Sequence, residues 1–151
     1  YGDNEDTHTG IAIDERPYST FENADFLPFK SGIEAGGPCI LVSHNIVKAM
    51  DENHPASLSE KVHKILREEL GFTGIIMTDD LAMDAVKEYA DNGEAAVQAV
   101  LAGNDMIISS NFAEQKQEVL NAIKDNRISE NTINIAVRRI LAMKYAYGII
   151  E

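Results

Sequence analysis

Cysteine, basic residues and long hydrophobic runs are scarce in this sequence, and each scarcity removes a class of function. The single cysteine, Cys39, rules out an intramolecular disulfide, and its setting in Cys39-Ile40-Leu41-Val42 reads as a small buried thiol rather than a reactive one. Lys and Arg number 13 against 25 Asp and Glu. The resulting net charge of −12 repels phosphate backbones and anionic lipid headgroups, which argues against nucleic acid and membrane surfaces as partners. No segment approaches the roughly 18 consecutive apolar residues of a membrane span. No signal peptide is visible, but the chain opens mid-loop at Tyr1 without an initiator methionine, so that absence carries no weight for compartment. Internal repeats, low-complexity tracts and linkers are also missing, so one domain over residues 1–151 is expected; 44% hydrophobic and 25% charged residues suffice for a core.

What is present is an alternation of short apolar runs and amphipathic stretches. Pro28 to Ala35, closed by Gly36-Gly37, reads as a helix with Pro28 in its first turn and Phe26, Leu27 and Phe29 in the core. Pro38 to Ser43 reads as a buried strand ending in Ser43-His44-Asn45, and Ile46 to Ala56 as a loop. Ser57-Leu58-Ser59-Glu60 has capping-box spacing, and Val62, Ile65, Leu66 and Leu70 continue as the apolar face of a helix that stops at Gly71. Gly74-Ile75-Ile76-Met77-Thr78 is a second buried strand, followed by short helices over Leu81 to Tyr89 and Glu94 to Leu101. Asp105 to Ser110 is a third strand. Two helices close the chain, Ala113 to Lys124 and Glu130 to Tyr147; the last has an apolar stripe through Ile133, Val137, Ile140, Leu141 and Tyr145, with Arg138 and Arg139 outside it. Strand alternating with helix in one direction requires a parallel sheet with right-handed crossovers, so the fold class is α/β.

The second strand stops at two acids, Asp79 and Asp80. The carboxyl ends of parallel strands are where ligands bind, because loops and helix amino termini converge there. An aspartate at that position either meets a substrate or caps the next helix, and spacing alone leaves both open. His44 falls at the same end of its strand, as a hydrogen-bonded support or a substrate contact. Met83 is a candidate for the pocket wall. In the opening loop, Asp6-Thr7-His8 lacks a second histidine at ligand spacing, which argues against a metal site, and no motif calls for a cofactor.

The wording of Gly71-Phe72-Thr73-Gly74-Ile75-Ile76-Met77-Thr78-Asp79-Asp80-Leu81-Ala82-Met83 closely resembles the nucleophile segment of glycoside hydrolase family 3, in the branch of bacterial β-N-acetylglucosaminidases. That resemblance implies that Asp79 attacks the sugar. The Asp6-Thr7-His8 loop is similar to the acid/base loop of the same branch, which implies His8 as general acid/base and Asp6 as its orienting carboxylate. Supportive likeness runs through Ser43-His44, Pro55-Ala56-Ser57-Leu58-Ser59, Ala102-Gly103-Asn104-Asp105-Met106 and Arg138 to Lys144. It implies about three parallel strands with flanking helices, the C-terminal half of a (β/α)8 TIM barrel that begins directly after a missing strand end.

The implied activity is that of a retaining hydrolase, removing β-linked N-acetylglucosamine through a glycosyl-enzyme, with peptidoglycan fragments as substrates and the fragment alone inactive. The expected partners are the carbohydrate and either the missing half-barrel or further copies of the chain, joined through sheet edges. Transfer to phosphate instead of water stays open, because a neutral general base does not repel an incoming anion. A noncatalytic α/β module binding a sugar or a protein is the competing class. A phosphate-binding half-barrel of the aldolase kind would need a glycine-rich loop near Ser109-Ser110-Asn111, and the sequence has none.

Overall fold

The computed structural model describes residues 11–83, 86, 88–90 and 94–151. Its centre is a three-stranded parallel sheet, β2 (Cys39–Val42), β4 (Ile75–Asp80) and β5 (Met106–Ile108), in the order β2-β4-β5. Register runs from Cys39 opposite Ile75 to Val42 opposite Thr78, and Met77 lies opposite Met106. The fold is α/β, as the alternation of elements requires. A second, two-stranded parallel sheet joins β1 (Ile13–Asp14) to β3 (Ile46–Val47). Both strands fall in stretches without sequence periodicity, and Ile46 to Ala56 is therefore not wholly a loop; two residues are too few to show alternation.

The first helix, α1, starts earlier than Pro28. The helical stretches Tyr18–Thr20, Phe21–Asp25 and Phe26–Glu34 run on without a break. Phe21–Asp25 is a widened turn in which the Phe26 N–H reaches the Phe21 carbonyl, and this loosening precedes Pro28, which has no N–H to give to the ladder. Phe21 and Phe26 pack with Val47 and Ile65. Leu27, expected in the core, is 52% exposed because it lies a third of a helical turn away from Phe26.

Helix α2 comprises Glu60–Lys64 and Ile65–Glu69. Its cap is Ser59, not Ser57: the Val62 N–H donates to Ser59 Oγ at 3.2 Å, and Ser59 Oγ donates to Asp51 Oδ2 at 2.7 Å. The stretch Ala56–Leu58 is a tight turn of its own, which leaves the Ser57 hydroxyl for another partner. Gly71, at φ 69°, supplies the left-handed stop. A Cβ on Gly74 would stand 2.5 Å from the Pro38 carbonyl oxygen, so only glycine admits β4 beside β2 there.

One face of the sheet is covered. Val42 and Ile76 pack with Val62, Leu66 and Phe72, and α3 (Ala95–Ala102) adds a second cluster with Leu58, Leu81 and Val86. On the other face Leu41, Met106 and Ile108 are 50%, 37% and 40% exposed. Cys39, expected to be buried, is exposed for the same reason: β2 is an edge strand, and one of its faces has no covering layer among the described residues.

Helices α4 (Phe112–Lys124) and α5 (Glu130–Ala146) complete the described chain. Arg139 does not lie outside the packed face of α5. It donates to Asp105 Oδ1 at 2.8 Å while Arg67 donates to Oδ2 at 2.5 Å. The Asp105 side chain is 2% exposed at the foot of β5, and a buried carboxylate needs such cations. Turning Arg139 inward leaves Val137, Leu141 and Tyr145 facing out.

Candidate functional site

The site is built on the carboxyl end of β4. Thr78 is fully buried, and its Oγ1 accepts from the Ile108 N–H at 3.1 Å where the β4–β5 register shifts. That shift lets the strand end turn, and the next two residues carry the acids. They are not equivalent. Asp80 Oδ1 accepts from the N–H of Ala82 and of Ser110, each at 2.9 Å. These backbone bonds, Ala82 first, hold its carboxyl below the usual carboxylate range. Asp80 is thus the cap of the turn at Leu81-Ala82-Met83. Competition from this side chain is also why no helix starts at Leu81: Met83 N–H bonds the Asp80 carbonyl at 3.3 Å instead. The remainder of the expected 81–89 helix falls partly on residues 84, 85 and 87, outside the described set.

Asp79 is half-buried, and among the described residues its carboxylate accepts one hydrogen bond, from the Asp80 N–H at 2.8 Å. Among the described residues, no hydrogen bond reaches its second oxygen, Oδ2. Met83 packs beside Leu81 and Val86 and is half-buried. The expected dyad, Asp6 and His8, lies outside the described residues.

His44 is 3% exposed, and both ring nitrogens are engaged. Nε2 donates to the Asp80 carbonyl at 3.1 Å, and Nδ1 lies 2.7 Å from Ser57 Oγ. A carbonyl can only accept, so the proton sits on Nε2 and Ser57 O–H donates to Nδ1. Burial pushes the imidazole below its ordinary value, against the opposing pull of the Asp80 carbonyl and the Asp79 and Asp80 charges. The geometry therefore fits the hydrogen-bonded support rather than a substrate contact. Ser57 was read as a cap because Ser-x-Ser offers two hydroxyls for one helix start; nothing in its spacing points to His44.

Among the described residues no three His, Cys, Asp or Glu side chains cluster to hold a metal, and no helix is long and apolar enough to cross a membrane.

Residues 1–143 match the glycosyl hydrolase family 3 N terminal domain. A beta-hexosaminidase of Nitrosomonas eutropha is 40% identical over 120 residues, covering 79% of this chain and 34% of the relative. One from Methylobacillus flagellatus is 35% identical over 120 residues, with the same coverage of 79% and 34%. A solved family 3 beta-N-acetylglucosaminidase from Paenibacillus sp. str. FPU-7 is 35% identical and superposes with a TM-score of 0.85, covering 93% of this chain and 28% of that one. The chain spans about a third of the length of the curated relatives it matches.

Proposed function

The chain belongs to glycosyl hydrolase family 3, and from that premise we propose that it forms the carboxyl-terminal half of a (β/α)8 barrel that removes β-linked N-acetylglucosamine with retention of configuration. The observation that carries this reading is the division of labour between the paired acids. Asp80 Oδ1 is taken by the turn, while Asp79, at the end of the central strand, has one oxygen without a hydrogen bond among the described residues.

Retention needs a carboxylate that bonds the anomeric carbon and a second group that first protonates the departing oxygen and then deprotonates water. Asp79 takes the first role and His8 the second. An imidazole titrating near 6.5 both donates and accepts around neutrality, and Asp6 would fix its tautomer and favour its charged form. Peptidoglycan fragments carrying β-linked N-acetylglucosamine fit this assignment. The apolar sheet face at Leu41, Met106 and Ile108 and the outer stripe of α5 would be covered by the rest of the barrel. Residues 1–151 alone would lack catalytic activity and would associate through sheet edges.

In the full-length enzyme, Asp79→Asn should lower hydrolysis of an aryl N-acetyl-β-glucosaminide on the order of a thousandfold or more, with an unchanged unfolding midpoint. Near-normal turnover would remove Asp79 from the mechanism. Sedimentation and an assay of the isolated 1–151 chain complete the test: a monodisperse monomer that cleaves substrate contradicts the half-barrel.

A further inference from the structure

The ladder between β2 and β4 ends at Val42 opposite Thr78, after which the chain turns away through Ser43-His44-Asn45. Beyond Thr78 the end of β4 is pinned on its β5 side, by the Leu81 N–H to the Ile108 carbonyl at 3.0 Å and by Ser110 N–H to the Asp80 carboxylate. On the β2 side no strand among the described residues pairs with it, and there the His44 ring bonds the Asp80 carbonyl.

We propose that His44 is a positioning residue for the nucleophile: its Nε2–H fixes the Asp80 carbonyl, and with it the backbone that presents Asp79, while the Ser57 hydroxyl, donating to Nδ1, holds the ring in place. The inference rests on the reading of Asp79 as the nucleophile.

The support behind the ring is buried and hydrogen-bonded. Ser57 is fully buried; its N–H donates to the Ser43 carbonyl at 3.1 Å, and its own carbonyl accepts from Asn104 Nδ2 at 2.8 Å. Asn104 Nδ2 also donates to the Ala99 carbonyl at 2.8 Å, which ties the arrangement to the last turn of α3. Turning the ring or moving its proton to Nδ1 would leave the Asp80 carbonyl without this donor. The charged groups that act on the ring, Asp79 and Asp80, both come from β4. A peg of this kind changes where Asp79 stands relative to the anomeric carbon more than it changes how the sugar binds, and misplacements of about 1 Å can cost a hundredfold in rate.

The test uses the full-length enzyme. With an aryl N-acetyl-β-glucosaminide, His44→Phe should lower kcat by about 10- to 100-fold with KM within about threefold. His44→Gln, whose amide nitrogen can donate to the same carbonyl, should recover kcat to within about fivefold of wild type. A folded His44→Phe enzyme with wild-type kcat, or a His44→Gln enzyme no better than His44→Phe, overturns the proposal. Should His44→Phe fail to fold, Ser57→Ala carries the test, with about a 3- to 10-fold loss of kcat expected and an unchanged kcat contradicting it. Imidazole ¹⁵N shifts of the wild-type enzyme give an independent reading: a proton on Nε2 supports the assignment and one on Nδ1 overturns it. Asp79→Asn run in parallel separates the two ideas. If it stays active, the nucleophile reading fails; if it is inactive while the His44 variants are normal, only the positioning role falls.

Discussion

The backbone N–H of Asp80 donates to the Asp79 carboxylate at 2.8 Å, while the Asp80 carboxylate is itself taken by the N–H groups of Ala82 and Ser110. Two adjacent, chemically identical side chains thus have different duties. The strand end sorts them by direction, because successive side chains on a strand point to opposite sides. One builds the turn, and the other is presented by it.

The acid/base role proposed for His8 would have a kinetic signature. A leaving group that departs readily as an anion needs no proton in the transition state, whereas an alkyl or sugar leaving group does. His8→Ala in the full-length enzyme should therefore slow a disaccharide substrate far more than a dinitrophenyl glycoside, by a ratio of about 100 or greater. Equal losses on both would assign His8 a structural role.

At the opposite end of the sheet, Asp105 holds Arg67 from α2 and Arg139 from α5 and accepts from the Ile76 N–H at 3.0 Å. Asp105→Asn would leave Arg67, which is 19% exposed, beside an uncharged partner. Breaking a buried pair this way, allowing for partial solvent access at Arg139, should destabilise the enzyme by about 2–4 kcal/mol in urea unfolding, with kcat at low temperature unchanged. A change below about 0.5 kcal/mol would mean that the cluster is only a surface ion pair.

Acid should weaken the fold well before carboxylates titrate. Burial lowers both His44 and His63 below their ordinary value. In the unfolded chain they take up protons near pH 6.5, which the folded chain resists, so their contribution is complete above about pH 6.5 and is lost as pH falls toward the folded values. Asp14 and Asp80 are lowered by their hydrogen bonds with Arg16 and with backbone N–H groups, so their contributions persist down to the usual carboxylate range and are lost below it. Glu118, raised by burial and by Glu114 and Glu94, acts with the opposite sign. Urea midpoints measured at pH 7.5 and 5.5 should fall with acid, and His63→Gln should shrink that fall. A midpoint that is flat in both proteins would contradict the assignment.

Periodicity made the three parallel strands legible in the sequence, because each is a short apolar run between breakers. Position at a strand end, together with the likeness of the surrounding words, made Asp79 a candidate. Other features depend on tertiary partners that no local pattern encodes. Ser57 and Ser59 are equally plausible caps until Asp51 and Val62 engage one and His44 the other. Arg139 and Val137 look exchangeable on a helical wheel until the buried Asp105 decides which side faces in. The strands Ile13–Asp14 and Ile46–Val47 exist only as each other's partner.

The central claim is that Asp79 bonds the sugar. A fluorinated N-acetylglucosaminyl donor that forms the glycosyl-enzyme faster than water removes it would be incubated with the full-length enzyme, which is then digested and sequenced by mass spectrometry. The account predicts one added sugar on the peptide containing Ile75 to Met83, with fragment ions placing it on Asp79 and its loss in Asp79→Asn. A sugar on Asp80 or on any other residue, or an enzyme that turns over the donor without ever becoming labelled, would contradict it.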